Sequence, residues 1–192
     1  PNLKYFDIYT SIESTGEQAE YARYGLNYKK FVSNCYKVLE NTPISTRLHF
    51  MTTLNFLSAP TLLDFFKFIK ELRIKTAIET HKFRVRILLS YLRWPQALQL
   101  TLLSKKDKKY YGDLWLQFIE ENKLIHQKDN EVEFFKRTFY LEEEDQVHRL
   151  VEYMNTTEEE NITYDNMRLY IKQMDERRNT NFKETFPELT YL

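Results

Sequence analysis

Ser11 and Glu13 close an alternating run near the start of the chain, and a turn at Thr15-Gly16 separates them from a polar segment that holds Arg23. These groups can hold a polar small molecule: a serine hydroxyl donates to and accepts from a diol, and arginine offers a forked donor to a carboxylate. Asn55 ends a second alternating run and adds an amide with both functions. The same residues have a plainer reading. A serine and a glutamate at a strand end can form a turn that caps the next helix, and a helical arginine is solvated by default. His49, His81, His126 and His148 fall at no paired metal spacing, and His49 reads as a hydrogen-bonded residue on a polar strand face rather than a ligand or base. No Ser-His-Asp order, glycine-rich phosphate loop or His-Glu-x-x-His is present, which leaves hydrolase, nucleotide-triphosphatase and zinc-protease chemistry without support.

Three strands must position these residues. Leu3 to Ile12 places Phe6, Ile8 and Ile12 on one side and Asp7, Tyr9 and Ser11 on the other, with Glu13 continuing the polar side. Ser45 to Phe56 alternates Leu48, Phe50, Leu54 and Phe56 against Arg47, His49, Met51, Thr53 and Asn55, and a third strand runs near Phe83 to Tyr91. Between them, Phe31, Val32, Cys35, Val38 and Leu39 form a helical stripe that ends at Asn41-Thr42-Pro43. Leu62, Phe65, Phe66, Ile69 and Leu72 form another, with Pro60 in its first turn. The alternation predicts parallel strands joined by right-handed crossovers. "ALQLTLL" after Pro95 reads as a short strand or extended connection. From Lys105 onward only helices are expected, near Lys108 to Asn122, Asn130 to Thr138, Glu142 to Asn155 and Tyr164 to Glu176. The fold class is therefore α/β: residues 1–104 form a partial (β/α) barrel segment with about three parallel strands, and residues 105–192 an acidic helical extension docked on it. Strands covered on both faces read as continuous apolar runs. These carry a polar face instead, so Asp7, Arg47, His49, Thr53, Arg84 and Arg86 are candidates to line a lumen.

Charge and cysteine usage narrow the function classes. Lys and Arg number 28, as do Asp and Glu, so no global field favours nucleic acid or an anionic membrane surface. The basic run "SKKDKKYYGDLW" reads as a solvated loop leading into a helix whose Tyr111, Leu114, Trp115 and Phe118 face the core. Residues 1–110 hold 18 basic against 9 acidic side chains and residues 111–192 hold 10 against 19, an opposition that favours docking of the two parts. Cys35 is the lone cysteine, which excludes an internal disulfide and an all-cysteine metal site and favours a reducing, cytoplasmic setting. No apolar run approaches the roughly 18 residues of a membrane span. The opening at Pro1, directly before a strand pattern, is expected of a fragment or trimmed product.

The stretch "DIYTSIESTGEQAEYARYGLNYKKFVSN" resembles the fourth strand and following helix of radical S-adenosylmethionine enzymes. "LHFMTTLNFLSAPTLLDFFKFIKEL" is similar to their fifth strand and helix. "YIKQMDERRNTNFKETFPEL" resembles the closing helix and Phe-Pro tail of phage and marine bacterial members that carry a twitch domain. The resemblance implies that Ser11 bonds the ribose hydroxyls of S-adenosylmethionine with Glu13 beside it, that Arg23 pairs with the methionyl carboxylate, and that Asn55 approaches the ribose or adenine. It further implies that Asp175 and Arg178, which could also pair locally, fasten the last helix, with Phe182, Phe186 and Pro187 anchoring the tail. The Cys-x3-Cys-x2-Cys loop that holds the family's [4Fe–4S] cluster is not in this sequence, so the cluster is expected in a parent protein only. Such a parent would generate a 5′-deoxyadenosyl radical and modify a small molecule or peptide. The chain itself would keep part of the nucleoside pocket without catalysis. The competing expectation is a non-catalytic interaction module, a homodimer closed over the open barrel face.

Overall fold

The computed structural model of the chain describes residues 5–77, 83–124, 137–156 and 164–189. Three strands, β1 (Phe6–Ser11), β2 (Thr46–Leu54) and β3 (Val85–Tyr91), form one parallel sheet in the order β1-β2-β3. Parallel neighbours need long crossovers. Helices α1 (Gly16–Ala22) and α2 (Tyr28–Glu40) make the first, and α3 (Leu62–Ala77) makes the second. The chain leaves β1 through Gly16 at φ 59°, where a side chain would be strained. Asn27 opens α2 by accepting from Lys30 N at 2.8 Å. Pro60 lies in the turn before α3 rather than in its first turn.

The alternation in the strands decides which face is buried. Leu48, Phe50 and Leu54 of β2 and Val85 and Ile87 of β3 are buried under the apolar stripes of α2 and α3. Phe50 meets Phe31, Phe65 and Phe68 at ring distances of 6.3, 5.9 and 6.0 Å. The opposite face stays open: Tyr9 is 56 % exposed, Met51 48 % and Leu88 44 %. The structure is thus a mixed α/β fold built on a three-stranded parallel sheet covered by helices on one side.

Beyond β3 the expected strand in "ALQLTLL" is two 3-10 turns, Gln96–Leu98 and Leu100–Leu102, which still bury Leu98, Leu100 and Leu102. Gln99, extended at ψ 146°, separates them, so an every-second-residue leucine pattern arises without strand geometry. Helix α4 (Lys105–Asn122) starts earlier than the sequence suggests, because Ser104 accepts from Asp107 N at 3.1 Å and donates to its carboxylate at 2.6 Å. The basic run therefore lies inside the helix, with Tyr111 and Trp115 buried. Helices α5 (Leu141–Met154), α6 (Tyr164–Arg178) and α7 (Phe182–Thr185) follow. The helix expected near Asn130 to Thr138 lies almost wholly outside the described residues. No described helix is long and apolar enough to cross a membrane.

The two sheet edges differ. At β3 the outward main chain is capped by side chains: Ile87 N donates to Glu143 at 3.3 Å, Leu89 N to Gln146 at 2.6 Å, and Arg73 donates to Val85 O at 3.1 Å. Helix α5 takes the place of a fourth strand there. At β1, Phe6 N donates to Ser45 O, so the even positions face β2, and Asp7, Tyr9 and Ser11 turn their N–H and C=O groups outward. No described residue pairs with that edge.

The tail folds back on α1. Phe182 and Phe186 pack against Tyr21 at ring distances of 6.2 and 5.2 Å, and Gln18 donates to Thr185 O at 3.1 Å and to Glu188 at 3.2 Å. Asp175 and Arg178 take separate partners instead of each other. Asp175 accepts from the Thr180 hydroxyl and Phe182 N, shaping the turn out of α6, and Arg178 donates to Tyr21 O at 3.2 Å.

Candidate functional site

The open sheet face carries four cross-strand rows, since paired residues of neighbouring strands share a face. From the N-terminal strand ends upward these are Asp7–Arg47, Tyr9–His49–Arg86, Ser11–Met51–Leu88 and Thr53–Ser90. In the first two rows Asp7, Arg47, Tyr9 and His49 form a connected cluster, and Arg86 is the cross-strand neighbour of His49. Arg47 holds Asp7 through a bidentate pair at 2.7 and 2.9 Å, and Tyr5 lies 5.3 Å from the Arg47 guanidinium. That guanidinium holds the Asp7 carboxyl below the usual carboxylate range, and Asp7 raises Arg47 in return. His49 stacks on Tyr9 at 4.7 Å, and its buried Nε2 lies 3.4 Å from Asp7 without a hydrogen-bond partner. Arg86 lies 3.5 Å from the centre of the Tyr140 ring.

The upper rows and the strand ends hold the residues expected to meet a nucleoside. Ser11 is exposed at the end of β1. Thr53 and Ser90 share a hydrogen bond at 3.2 Å. Glu13 is buried and bound by Arg23 through two hydrogen bonds, so β1 is tied to the end of α1. The cap of α1 is Thr15, which makes no side-chain cap bond, so neither Ser11 nor Glu13 caps that helix. Asn55 ends β2 by accepting from Leu57 N at 2.9 Å, and its own N–H donates to the Ser58 hydroxyl at 2.9 Å. At the end of β3, Tyr91 stacks on Tyr153 at 3.7 Å, and Tyr153 donates to Leu92 O at 3.2 Å.

Arg84 requires a correction. The polar alternation puts it on the open face, but it precedes β3 and is buried. It donates to Thr46 O at 2.8 Å, Leu39 O at 2.6 Å and the Thr42 hydroxyl at 2.7 Å. The end of α2 leaves carbonyls without helical partners, and a guanidinium satisfies several at once. Asp7, Arg47, His49 and Arg86 do come together, whereas Ser11, Glu13, Arg23 and Asn55 are spread over two strand ends and one helix end.

Cys35 does not fit an iron–sulfur ligand. It is buried on α2, and burial pushes its thiol up to about 12, the reverse of what thiolate ligation requires. Among the described residues no cluster of histidine, cysteine and carboxylate side chains could hold a metal ion. A groove of about 380 Å³ between α6 and α7 is lined by none of the expected site residues.

Sequence reasoning missed Tyr140 and the buried pair of Arg73 and Glu143. The pair left a signal: Arg73 extends the stripe of Phe66 and Ile69, and Glu143 that of Val147, Leu150 and Met154, so each charge sits at a core position. Compared with known proteins, the chain matches no family model, no curated protein and no solved structure.

Proposed function

We propose that the chain forms one side of a partial (β/α) barrel of the radical S-adenosylmethionine type, whose further strands join at β1, and that Ser11 and Asn55 contribute to its nucleoside pocket. The observation that carries this reading is the asymmetry of the sheet. Helix α5 seals the β3 edge, while the β1 edge offers three residues of outward main chain beside exposed Tyr5, Phe6 and Tyr9. An exposed edge with apolar neighbours is a liability in a finished fold and a template for an incoming strand. The residues present are compatible with a nucleoside. Ser11 is accessible, Asn55 keeps its amide NH2 without a partner among the described residues, and Arg23 keeps one guanidinium nitrogen beyond its pair with Glu13. The cluster chemistry would belong to the parent, and no step of it is carried by this chain. The test is equilibrium dialysis against S-adenosylmethionine. Saturable binding that is lost in Ser11→Ala and weakened in Arg23→Ala supports the reading, and absence of saturation at millimolar ligand removes the chain from nucleoside binding.

The same edge and face favour a second reading, a non-catalytic module that pairs with a second copy. Tyr9, Met51 and Leu88 form an exposed apolar patch that a two-fold contact would bury. Sedimentation velocity decides it. A dimer that becomes a monomer in Tyr9→Lys supports this reading, and a monomer at all concentrations excludes it.

A further inference from the structure

We propose that Arg86, seated on Tyr140 beside His49, binds the oxyanion of a small-molecule ligand, a phosphate or carboxylate group, on the open face of the sheet. Four other arginines around the sheet are already engaged. Arg23 is bound to Glu13, Arg47 to Asp7, Arg73 to Glu143, and Arg84 to main-chain carbonyls and Thr42. Arg86 has no hydrogen-bond or carboxylate partner among the described residues, although it is only partly exposed. A guanidinium has five N–H donors.

The geometry suits an anion. At 3.5 Å from the ring centre the guanidinium lies on the Tyr140 face, which occupies one side of the group and leaves its N–H edges for a ligand. The platform is itself fixed. Tyr140 N donates to the buried Glu143 at 3.0 Å, and buried Arg73 approaches the Tyr140 ring at 5.3 Å. Arg86 is therefore held in place before any ligand arrives, which lowers the ordering cost of binding. His49 is its cross-strand neighbour on the same face, held by stacking on Tyr9. Asp7 already has Arg47 as a bidentate partner, so its carboxylate is not left over to pair with Arg86. The site does not rest on the nucleoside reading of Ser11 and Asn55.

The probe is inorganic phosphate, with acetate as the carboxylate counterpart, titrated into the chain while the His49 ring and Arg86 Nε resonances are followed by NMR. The expected result is a saturable displacement of both signals, with His148 unmoved. Arg86→Gln should raise the phosphate dissociation constant by about tenfold, and Arg86→Lys, which keeps charge but not the planar fork, should raise it less. Unchanged circular dichroism in both variants confirms that the sheet is intact. No displacement in the native chain overturns the proposal, as does equal displacement in Arg86→Gln. Sedimentation of the same samples separates the source of the anion. If the displacement accompanies dimer formation and needs no added anion, a carboxylate from a second copy is the partner and the small-molecule proposal falls.

Discussion

Arg73 and Glu143 show how a single buried pair can organise a fold. Neither side chain has meaningful solvent contact, at 0 % and 3 % exposure, yet every strong group is matched. Arg73 bonds Glu143, Val85 O and Thr138 O, and Glu143 also accepts from Ile87 N and Tyr140 N. Removing one partner leaves a buried charge alone, which costs about 3–5 kcal/mol. Arg73→Met should lower the unfolding free energy by that amount in urea titrations. The double variant Arg73→Met/Glu143→Leu should cost less than the sum of the two single changes, because no lone charge remains. The pair was legible as two charges on apolar stripes, but their pairing was not, since 70 residues separate them and no local rule connects α3 to α5. Arg84 was misplaced for a related reason. Alternation assigns a face only while the chain is a strand, and Arg84 lies just before β3 begins.

At the scale of elements, α5 acts as a stand-in for a strand. Its first turns present Glu143 and Gln146 to the outward N–H groups of β3 at the spacing of alternate strand residues, Ile87 and Leu89. Gln146→Ala should leave Leu89 N without its acceptor, lower stability by about 1 kcal/mol, and speed hydrogen exchange at the Leu89 amide while Ile87 stays protected. The three strands, α2, α3 and the open face were readable from period-two and helical patterns, because one-sided burial writes itself directly into the sequence. The capping role of α5 was not. Glutamates in the first turn of a helix are expected for the helix dipole alone, so "LEEEDQ" gives no hint that Glu143 and Gln146 cap the edge of a strand.

For the molecule as a whole, the charge split between the halves suggested electrostatic docking. Among the described residues the buried ion pair that crosses between them is Arg73–Glu143, and the rest of the contact is largely hydrogen bonds such as Leu89 N to Gln146 and ring packing, with Phe66 meeting Phe118 and Phe139 at 6.1 and 5.8 Å. Salt screens exposed charges over a Debye length of about 3 Å at 1 M but acts weakly on buried pairs. Raising sodium chloride from 0.1 to 1 M should therefore shift the melting temperature by less than the several degrees that correspond to ~1 kcal/mol, as read by differential scanning calorimetry. A large drop would mean that the opposed surface charges carry the docking after all.

The cap on β3 also sets an order of events during synthesis. Glu143 and Gln146 follow their strand partners by 56 and 57 residues, so the ribosome completes all three strands well before either cap emerges. During that interval the β3 edge of the nascent sheet is bare, and only the arrival of α5 covers it. Premature termination between β3 and α5 would yield a chain able to stack edge to edge with its own kind, which makes that interval the point where translation errors turn most readily into aggregates.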